Sequence, residues 1–542
     1  MENSLIRGTF FLTAASFISK ILGFIYIIPF TALVGTSGYA LYKYAYGPYT
    51  IILSLSTIGL PLAVSKFVSK YNGLGNYRVG LDLLKVGFIL MVVTGFLSFG
   101  ALYSLAPFLS KILIDPHDVT GNSQQDVTFV IRMVSFALLI VPPMSLLRGY
   151  FQGSQSMGPS ALSTVIEQIV RIIFILLGGF IAIHIFHSTI TKAVGIATFG
   201  AFIGGAAGLV VLLSVYVKRR ELIRKQMNES PIKEKIHVIP MLKELISYAI
   251  PFVIVGLTIP IYQNIDTFTI NKLFQSIGYQ LDEAEVINSV IGLAQILVMV
   301  PVSLATAFGM SLIPGITTSF VTGNIREVHR KITKTIQILV FFTLPAGIGL
   351  SLLGKPIYTM IFGLKNNDEV GGTILQWYAL ATIVFALFTV TAAILQGINE
   401  QKKVIIGVAL GVIVKMILNV VLVSSFKEVA PVLATYGGFS VSVIFNMVLI
   451  KKTIQYEFFP LIKSLLQSVG LGLVMAFSVL FMNFFMDTSI SGRISEYYSA
   501  VLTSLVCITT GLFVYLGIGM KTQIMKDVLN RRKKMDYQRN EK

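Results

Sequence analysis

Ile169-Val170-Arg171-Ile172-Ile173 and Ile413-Val414-Lys415-Met416-Ile417 are one phrase written twice. Phe151-Gln152-Gly153 precedes the first and Leu395-Gln396-Gly397 the second, at the same distance. The offset is constant and ungapped, since 415 − 171 and 397 − 153 both equal 244. A weaker echo sets Pro61 against Pro314 and Phe67-Val68 against Phe320-Val321. The chain is therefore internally duplicated, and each copy places a basic residue in the middle of an apolar run.

Outward from this repeat, the composition names the solvent. Hydrophobic residues make up 54% of the 542 and charged residues only 13%, about half of what a soluble domain needs to cover its surface. The mean hydropathy is +0.79. A helix needs roughly 20 mostly apolar residues to cross the hydrocarbon. Fourteen such runs are expected, at 7–34, 46–69, 83–107, 128–149, 158–184, 193–217, 245–273, 286–318, 335–355, 372–396, 403–425, 431–450, 461–486 and 498–519. The first carries Lys20 and lacks a small-residue cleavage site, so it reads as a retained span. Barrel strands of about ten alternating residues are not present in the pattern.

The expected fold is an all-α polytopic membrane protein of 14 transmembrane helices. The repeat divides it into an N-terminal six-helix lobe at 1–217, a basic linker at 218–243 and a C-terminal six-helix lobe at 244–455. Helices 13 and 14 (456–520) and a basic tail (521–542) follow. Six is even, so both lobes enter the membrane from the same side, a parallel repeat about the membrane normal.

Basic residues orient the chain. With the N-terminus in the cytoplasm, 31 of the 43 Lys and Arg fall inside, 8 outside and 4 within spans. Acids divide as 12, 11 and 2, so the net +18 is +19 inside, −3 outside and +2 in the membrane. Both termini are expected in the cytoplasm. The outer loops collect Asp115, Asp118, Asp126, Asp282, Glu283, Glu285, Asp368 and Glu369. Basic charge of this kind marks topology in a cell membrane, not a nucleic-acid partner.

The membrane remainder carries the chemistry. Lys20, Arg171 and Lys415 lie near the middles of their spans, where each charge facing lipid costs about 2.5–3.5 kcal/mol. Lys20 shares a face with Ser16 and Gly23, and Lys415 one with Gly407, Gly411 and Asn419. Arg171 ends a polar stripe through Ser160, Ser163, Thr164 and Glu167. Glu167 and Arg171, at i, i+4, are read either as a structural ion pair or as part of a site. Arg132, about one turn from the outer end of its span, reads as snorkelling to the interface or as a ligand. Asp266, beside Gln263 and Asn264, is a coupling-ion site or a bridge to a basic side chain. Four cations against two acids favour an anion between two lobes, and phosphate or pyrophosphate suits Lys and Arg. Pro61, Pro142, Pro143, Pro251, Pro260, Pro301, Pro314 and Pro345 mark expected kinks.

Other classes fall away. One cysteine, Cys507, excludes a disulfide scaffold, and five histidines form no metal cluster. No Gly-x-x-x-x-Gly-Lys-Ser/Thr occurs and no nucleophile–base set is apparent, so neither a one-chain ATP-driven pump nor an enzyme is expected. A transporter is, with no cofactor and with the membrane potential or a Na+/H+ gradient as its driving force. A cation-coupled drug exporter using Asp266 or Glu167 is the alternative, and a membrane scaffold a third class.

Ser19-Lys20-Ile21-Leu22-Gly23-Phe24, Tyr46-Gly47-Pro48-Tyr49 and Arg148-Gly149-Tyr150-Phe151-Gln152-Gly153 carry a resemblance. With six plus six plus two spans, the chain resembles the multidrug/oligosaccharidyl-lipid/polysaccharide exporter superfamily. Within it the chain is most similar to lipid II flippases of the MurJ type, in the Gram-positive branch with the stage V sporulation protein B relatives. The resemblance implies a flippase moving undecaprenyl-pyrophosphate-linked peptidoglycan precursor to the outer leaflet of a bacterial plasma membrane. It implies V-shaped lobes around a cationic cavity, a groove for the lipid tail beside the two extra helices, and partnership with cell-wall synthesis. The family's first-span basic residue matches Lys20. Its second is replaced in the region of Tyr26, and 286–318 lacks the basic residue usual in the eighth span. Arg171 and Lys415 are expected to serve instead, with Arg132 as a further substrate ligand. The substrate is lipid II or another polyprenyl-pyrophosphate oligosaccharide.

Overall fold

Apolar runs in a membrane must satisfy every backbone group internally, which leaves helices as the economical solution. The computed structural model describes residues 14–15, 17–57, 60–115, 120–221, 225, 250, 253–310, 313–490 and 493–520, and among them every regular element is a helix. The expected linker at 218–243 lies largely outside the described residues, and Ser16, Asp118, Pro251 and the tail from 521 lie wholly outside. The chain divides into two compact units, Met1–Gln275 with Tyr279–Val286, and Ser276–Gly278 with Ile287–Lys542.

In the first unit, α1 (Phe17–Ile25) meets α2 (Ile27–Thr57) at a 41° bend. Gly35 breaks α2, with φ 69° and ψ −175°, a conformation that is essentially glycine's alone. The expected second span at 46–69 is therefore divided otherwise. Helix continues from Gly35 to Thr57, and α3 (Leu60–Gly73) follows separately. A Cβ at Gly35 would meet nothing within 4 Å, so Gly35→Ala carries a purely conformational cost of about 1–3 kcal/mol. Thermal melts checking this have an internal control in Gly100→Ala, on α4, where space is also open and alanine suits a helix. Equal midpoints for the two variants would contradict the assignment of strain to Gly35.

The next elements are α4 (Tyr77–Leu113), α5 (Gln124–Ser135), α6 (Ala137–Gly153), α7 (Met157–Phe180) and α8 (Ile190–Lys218). Pro142 and Pro143 sit inside α6. Pro142 has no N–H for the Leu138 carbonyl, and α4 approaches that oxygen at Gly95, where a Cβ would lie 2.6 Å from it. The bent helix pairs break at Tyr26 and before Ala381, whereas Pro142, Pro143, Pro301 and Pro345 lie inside continuous helices. Neighbouring helices that accept the freed carbonyls let a membrane helix keep its prolines.

Beyond the linker, α9 (Thr258–Ser276) contributes to the first unit. By its contacts that unit extends past 218–243, where the repeat divides the chain. Helix α9 is the most polar of the expected spans in its described residues, burying Asn264, Asp266, Thr267 and Asn271. These groups need protein rather than lipid around them.

The second unit holds most of α10 (Leu281–Met310), then α11 (Ile313–Val321), α12 (Ile325–Leu352), α13 (Gly354–Phe362), α14 (Asp368–Tyr378), α15 (Ala381–Gly397), α16 (Gln401–Phe426), α17 (Ala430–Ile454), α18 (Phe459–Ile490) and α19 (Glu496–Gly519). Helices α14 and α15 form the expected tenth span, bent by 46°. The repeat is visible in packing. In the first unit α3 approaches α6 where Gly153 faces the Ser65 carbonyl, and in the second α11 approaches α15 where Gly397 faces Thr317. Among the described residues nine helical segments are long and apolar enough to cross a membrane, or eleven with the two bent pairs, α16 and α17 being counted together. This is a polytopic, all-helical membrane fold.

Candidate functional site

Small residues come first, because they let charged helices touch. Gly204 and Gly208 of α8 lie one turn apart. A Cβ at Gly204 would stand 2.8 Å from both Arg171 Cβ and the Glu167 carbonyl, and one at Gly208 would stand 3.2 Å from Glu167 Cβ. Helix α8 therefore seals one flank of the α7 stripe, and Ser163 Oγ donates to the Gly208 carbonyl at 3.0 Å across the joint.

The charges then find each other. Glu167 and Arg171 pair at 2.7 Å, and the other carboxylate oxygen pairs with Arg148 of α6 at 2.8 Å. Arg148 also donates from Nε and Nη2 to Ser163 Oγ, at 3.2 and 2.8 Å. The side chains are only 12–20% exposed. Two guanidiniums thus share one carboxylate, and the cluster keeps one net positive charge. Arg171 Nε is buried without a hydrogen-bond partner among the described residues.

A tyrosine wall faces this cluster. Tyr39, Tyr42, Tyr46 and Tyr49 recur on one face of α2, with Tyr42 and Tyr46 stacked at 4.3 Å and Tyr46 edge-on to Tyr49 at 5.6 Å. Tyr42, Tyr46 and Tyr49 lie close enough to Arg171 to interact with its charge. Tyr26, in the region where the resembled family carries a second basic residue, is buried at the α1–α2 bend with its hydroxyl 2.6 Å from that of Tyr42. On α1, Lys20 is exposed, and Gly23 one turn on faces Gln168 of α7.

The second copy resolves its charge differently. Counterparts of Arg148 and Glu167 would fall at 148 + 244 and 167 + 244, which are Ala392 and Gly411. Without that carboxylate, Lys415 is wholly buried and donates to Thr435 Oγ1 at 2.6 Å. Gly407, Gly411 and Asn419 are buried with it along α16, and Ser442 of α17 donates to the Gly407 carbonyl at 2.9 Å. The expected stripe exists, and it is the face that packs on α17.

Two candidates remain. Arg132 of α5 places its guanidinium 4.8 Å from the Tyr103 ring. Asp266 is buried on α9. Sequence reasoning missed Arg148, which stood in the Arg148–Gly153 motif at the inner end of the span 128–149 and was counted with the cytoplasmic flank. It also placed Glu285 in an outer loop. That placement needs correction, since Glu285 is 1% exposed in α10. Asn122 donates to its carboxylate from the backbone (3.1 Å) and from Nδ2 (2.7 Å), and the Tyr44 hydroxyl does so at 3.3 Å. Asn271 of α9 donates to the Tyr44 oxygen at 2.7 Å. The signal was the polar spacing Glu285, Asn288 and Ser289 on one helix face, which a loop does not need.

With this geometry in place, the comparisons are informative. The family model described as polysaccharide biosynthesis protein matches residues 5–320. The chain is 42% identical over 533 residues to the lipid II flippase MurJ of Bacillus subtilis (strain 168), covering 98% of each chain. Among solved structures, a lipid II flippase MurJ in an inward closed conformation aligns with TM-score 0.64 at 16% identity, over 96% of this chain and 99% of that one. An inward-facing multidrug resistance MATE family transporter of the MOP superfamily aligns with TM-score 0.62 at 14% identity, over 80% and 98%. At such identities the structural likeness speaks for the fold alone.

Proposed function

This chain belongs to the polysaccharide biosynthesis protein family, and from that membership we infer that it is a lipid II flippase. It carries the lipid-linked peptidoglycan precursor from the inner to the outer leaflet for cell wall synthesis, and its activity is transport rather than catalysis. The observation that carries this reading is the 42% identity with a lipid II flippase along 98% of both chains. The likeness to a multidrug transporter, at 14% identity, adds no reading of substrate.

The finer proposal concerns the route. The pyrophosphate engages Lys20 and the Arg148–Glu167–Arg171 cluster, because an exposed ammonium and fork-shaped guanidinium donors suit a doubly charged oxyanion. Lys415, sealed on Thr435, supplies positive charge at depth. It meets the substrate in a state in which α16 and α17 part. Alternating access moves the substrate, with the membrane potential or a Na+ or H+ gradient as the driving force and Asp266 as the coupling group. The protein lies in a bacterial plasma membrane with both termini in the cytoplasm, close to the cell-wall synthesis machinery that consumes its product.

Lys20→Ala tests the route. In cells depleted of their own flippase, the variant reaches wild-type protein levels but restores less than a tenth of the lipid II exposed on the outer leaflet. That is the loss expected when one charge-assisted contact of about 1.5–3 kcal/mol disappears. Full exposure of lipid II by Lys20→Ala would remove Lys20 from the route. Failure of the wild-type protein to expose lipid II would overturn the flippase reading itself.

A further inference from the structure

The α4–α5 hairpin of the first unit forms a pocket of about 590 Å³ that lies outside the route proposed above. Its lining follows from helical spacing. Tyr103, Pro107 and Lys111 recur every four residues on α4, and Gln124, Thr128 and Arg132 do so on α5, with Phe136 capping its end. Lys111 and Arg132 bring two positive charges, and among the described residues no carboxylate lines the pocket. Asp126, in the first turn of α5, is turned into a capping box with Ser123. Neither Lys111 nor Arg132 has an ion-pair partner among the described residues.

Depth and wall chemistry narrow the occupant. Lys111 is two residues from the end of α4, and Arg132 is eight residues into α5, about 12 Å along the helix. With spans at 83–107 and 128–149, Lys111 falls at headgroup level and Arg132 about one turn into the hydrocarbon. The Arg132 guanidinium rests on the Tyr103 ring at 4.8 Å, which holds it in place by cation–π attraction. Its Nε is buried and has no hydrogen-bond partner among the described residues. Phe129, Met133 and Phe136 supply an apolar wall suited to an acyl chain.

We propose that this pocket binds the phosphate headgroup of an anionic membrane phospholipid, its acyl chain lying against the Phe129–Met133–Phe136 wall. The phosphodiester accepts from Arg132 and Lys111. A headgroup carrying its own ammonium is disfavoured, because it would face two cations. The site is separate from the Arg148–Glu167–Arg171 cluster and does not depend on what the protein transports. In the orientation proposed above it opens to the outer leaflet.

The test uses the full-length protein in a neutral detergent, its thermal midpoint followed against added short-chain phosphatidylglycerol, phosphatidylcholine or glycerol 3-phosphate. Phosphatidylglycerol is expected to raise the midpoint and the other two to leave it in place. Lys111→Gln and Arg132→Gln are each expected to shift the required phosphatidylglycerol concentration upward by roughly tenfold. If Arg132→Gln does not fold, Lys111→Gln, an exposed position, still gives the answer. An unchanged phosphatidylglycerol response in these variants overturns the site. A midpoint raised equally by glycerol 3-phosphate overturns the lipid in favour of a free phosphate. An equal rise with phosphatidylcholine overturns the selectivity for anionic headgroups.

Discussion

Glu167→Ala is expected to abolish lipid II transport and to lower stability by about 3–5 kcal/mol, the usual result of stripping a buried ion pair of one partner. The cause is plain in the geometry. Arg148 and Arg171 both rest on that carboxylate, at 2.8 and 2.7 Å, and its removal leaves two guanidiniums facing each other with little water. Glu167→Gln keeps the shape and loses the charge, so its melting temperature falls between the two. A triple change, Arg148→Met with Glu167→Leu and Arg171→Met, separates structure from function. Replacing a buried ionic cluster with apolar residues of similar volume is often neutral or stabilising, so this variant should melt near wild type yet not transport. Transport by the triple variant would show that the cluster is scaffolding.

Gly149→Ala is expected to prevent the protein from accumulating. A Cβ there would stand 2.2 Å from the Pro61 carbonyl oxygen and 2.8 Å from its carbon. Both are backbone atoms of α3, which has to move as a whole, and the cost lies at the upper end of overpacking, about 3 kcal/mol. Gly397→Ala in the second unit is the comparison. Its Cβ would meet Thr317 Oγ1 at 2.9 Å, the end of a side chain that can rotate, so the cost is about 1 kcal/mol or less. Membrane-fraction yield and thermal midpoint of the two variants check the ranking. Equal yields would mean that α3 yields as easily as a threonine.

How much of this was legible in advance varied with the kind of physics involved. The all-helical membrane architecture follows from hydropathy, because a span needs length and apolarity and little else. The i, i+4 partnership of Glu167 with Arg171 was visible too, since helical spacing alone brings the pair together. Arg148 was not, as it reaches Glu167 from a different helix across a loop. Glu285 was misplaced for a similar reason. Its neighbours Asp282 and Glu283 belong to an exposed first turn, and only the Asn122, Tyr44 and Asn271 groups that surround it show that the next turn is inside. Prolines are hard to read from sequence for a similar reason. A missing N–H matters only if its carbonyl stays unsatisfied, and the approach of Gly95 to Leu138 cannot be read from either segment alone. The fates of Arg171 and Lys415 diverge for a reason that was legible but unread, since Gly411 stands where a second copy of Glu167 would be.

The glycine joint between α7 and α8 has a mechanical consequence. At Gly204 and Gly208 the two helices meet through backbone and Cβ atoms with Ser163 bonded across them, and further along Ile175 seats against Gly200 and Ile196 against Gly178, an interlock that lets the pair tilt as one stiff bar. Helix α7 alone has 24 residues and is about 36 Å long. A tilt of about five degrees about one end of such a bar carries the other end about 3 Å and the charges near its middle about half that. Displacement on that scale is enough to open a hydrogen bond of 2.8 Å to any group that does not ride on the bar. Arg148, on α6, is such a group, whereas Arg171 travels with Glu167. Of the two ion pairs that share the carboxylate, one is an internal fitting of the lever and the other is the catch that the lever can lift.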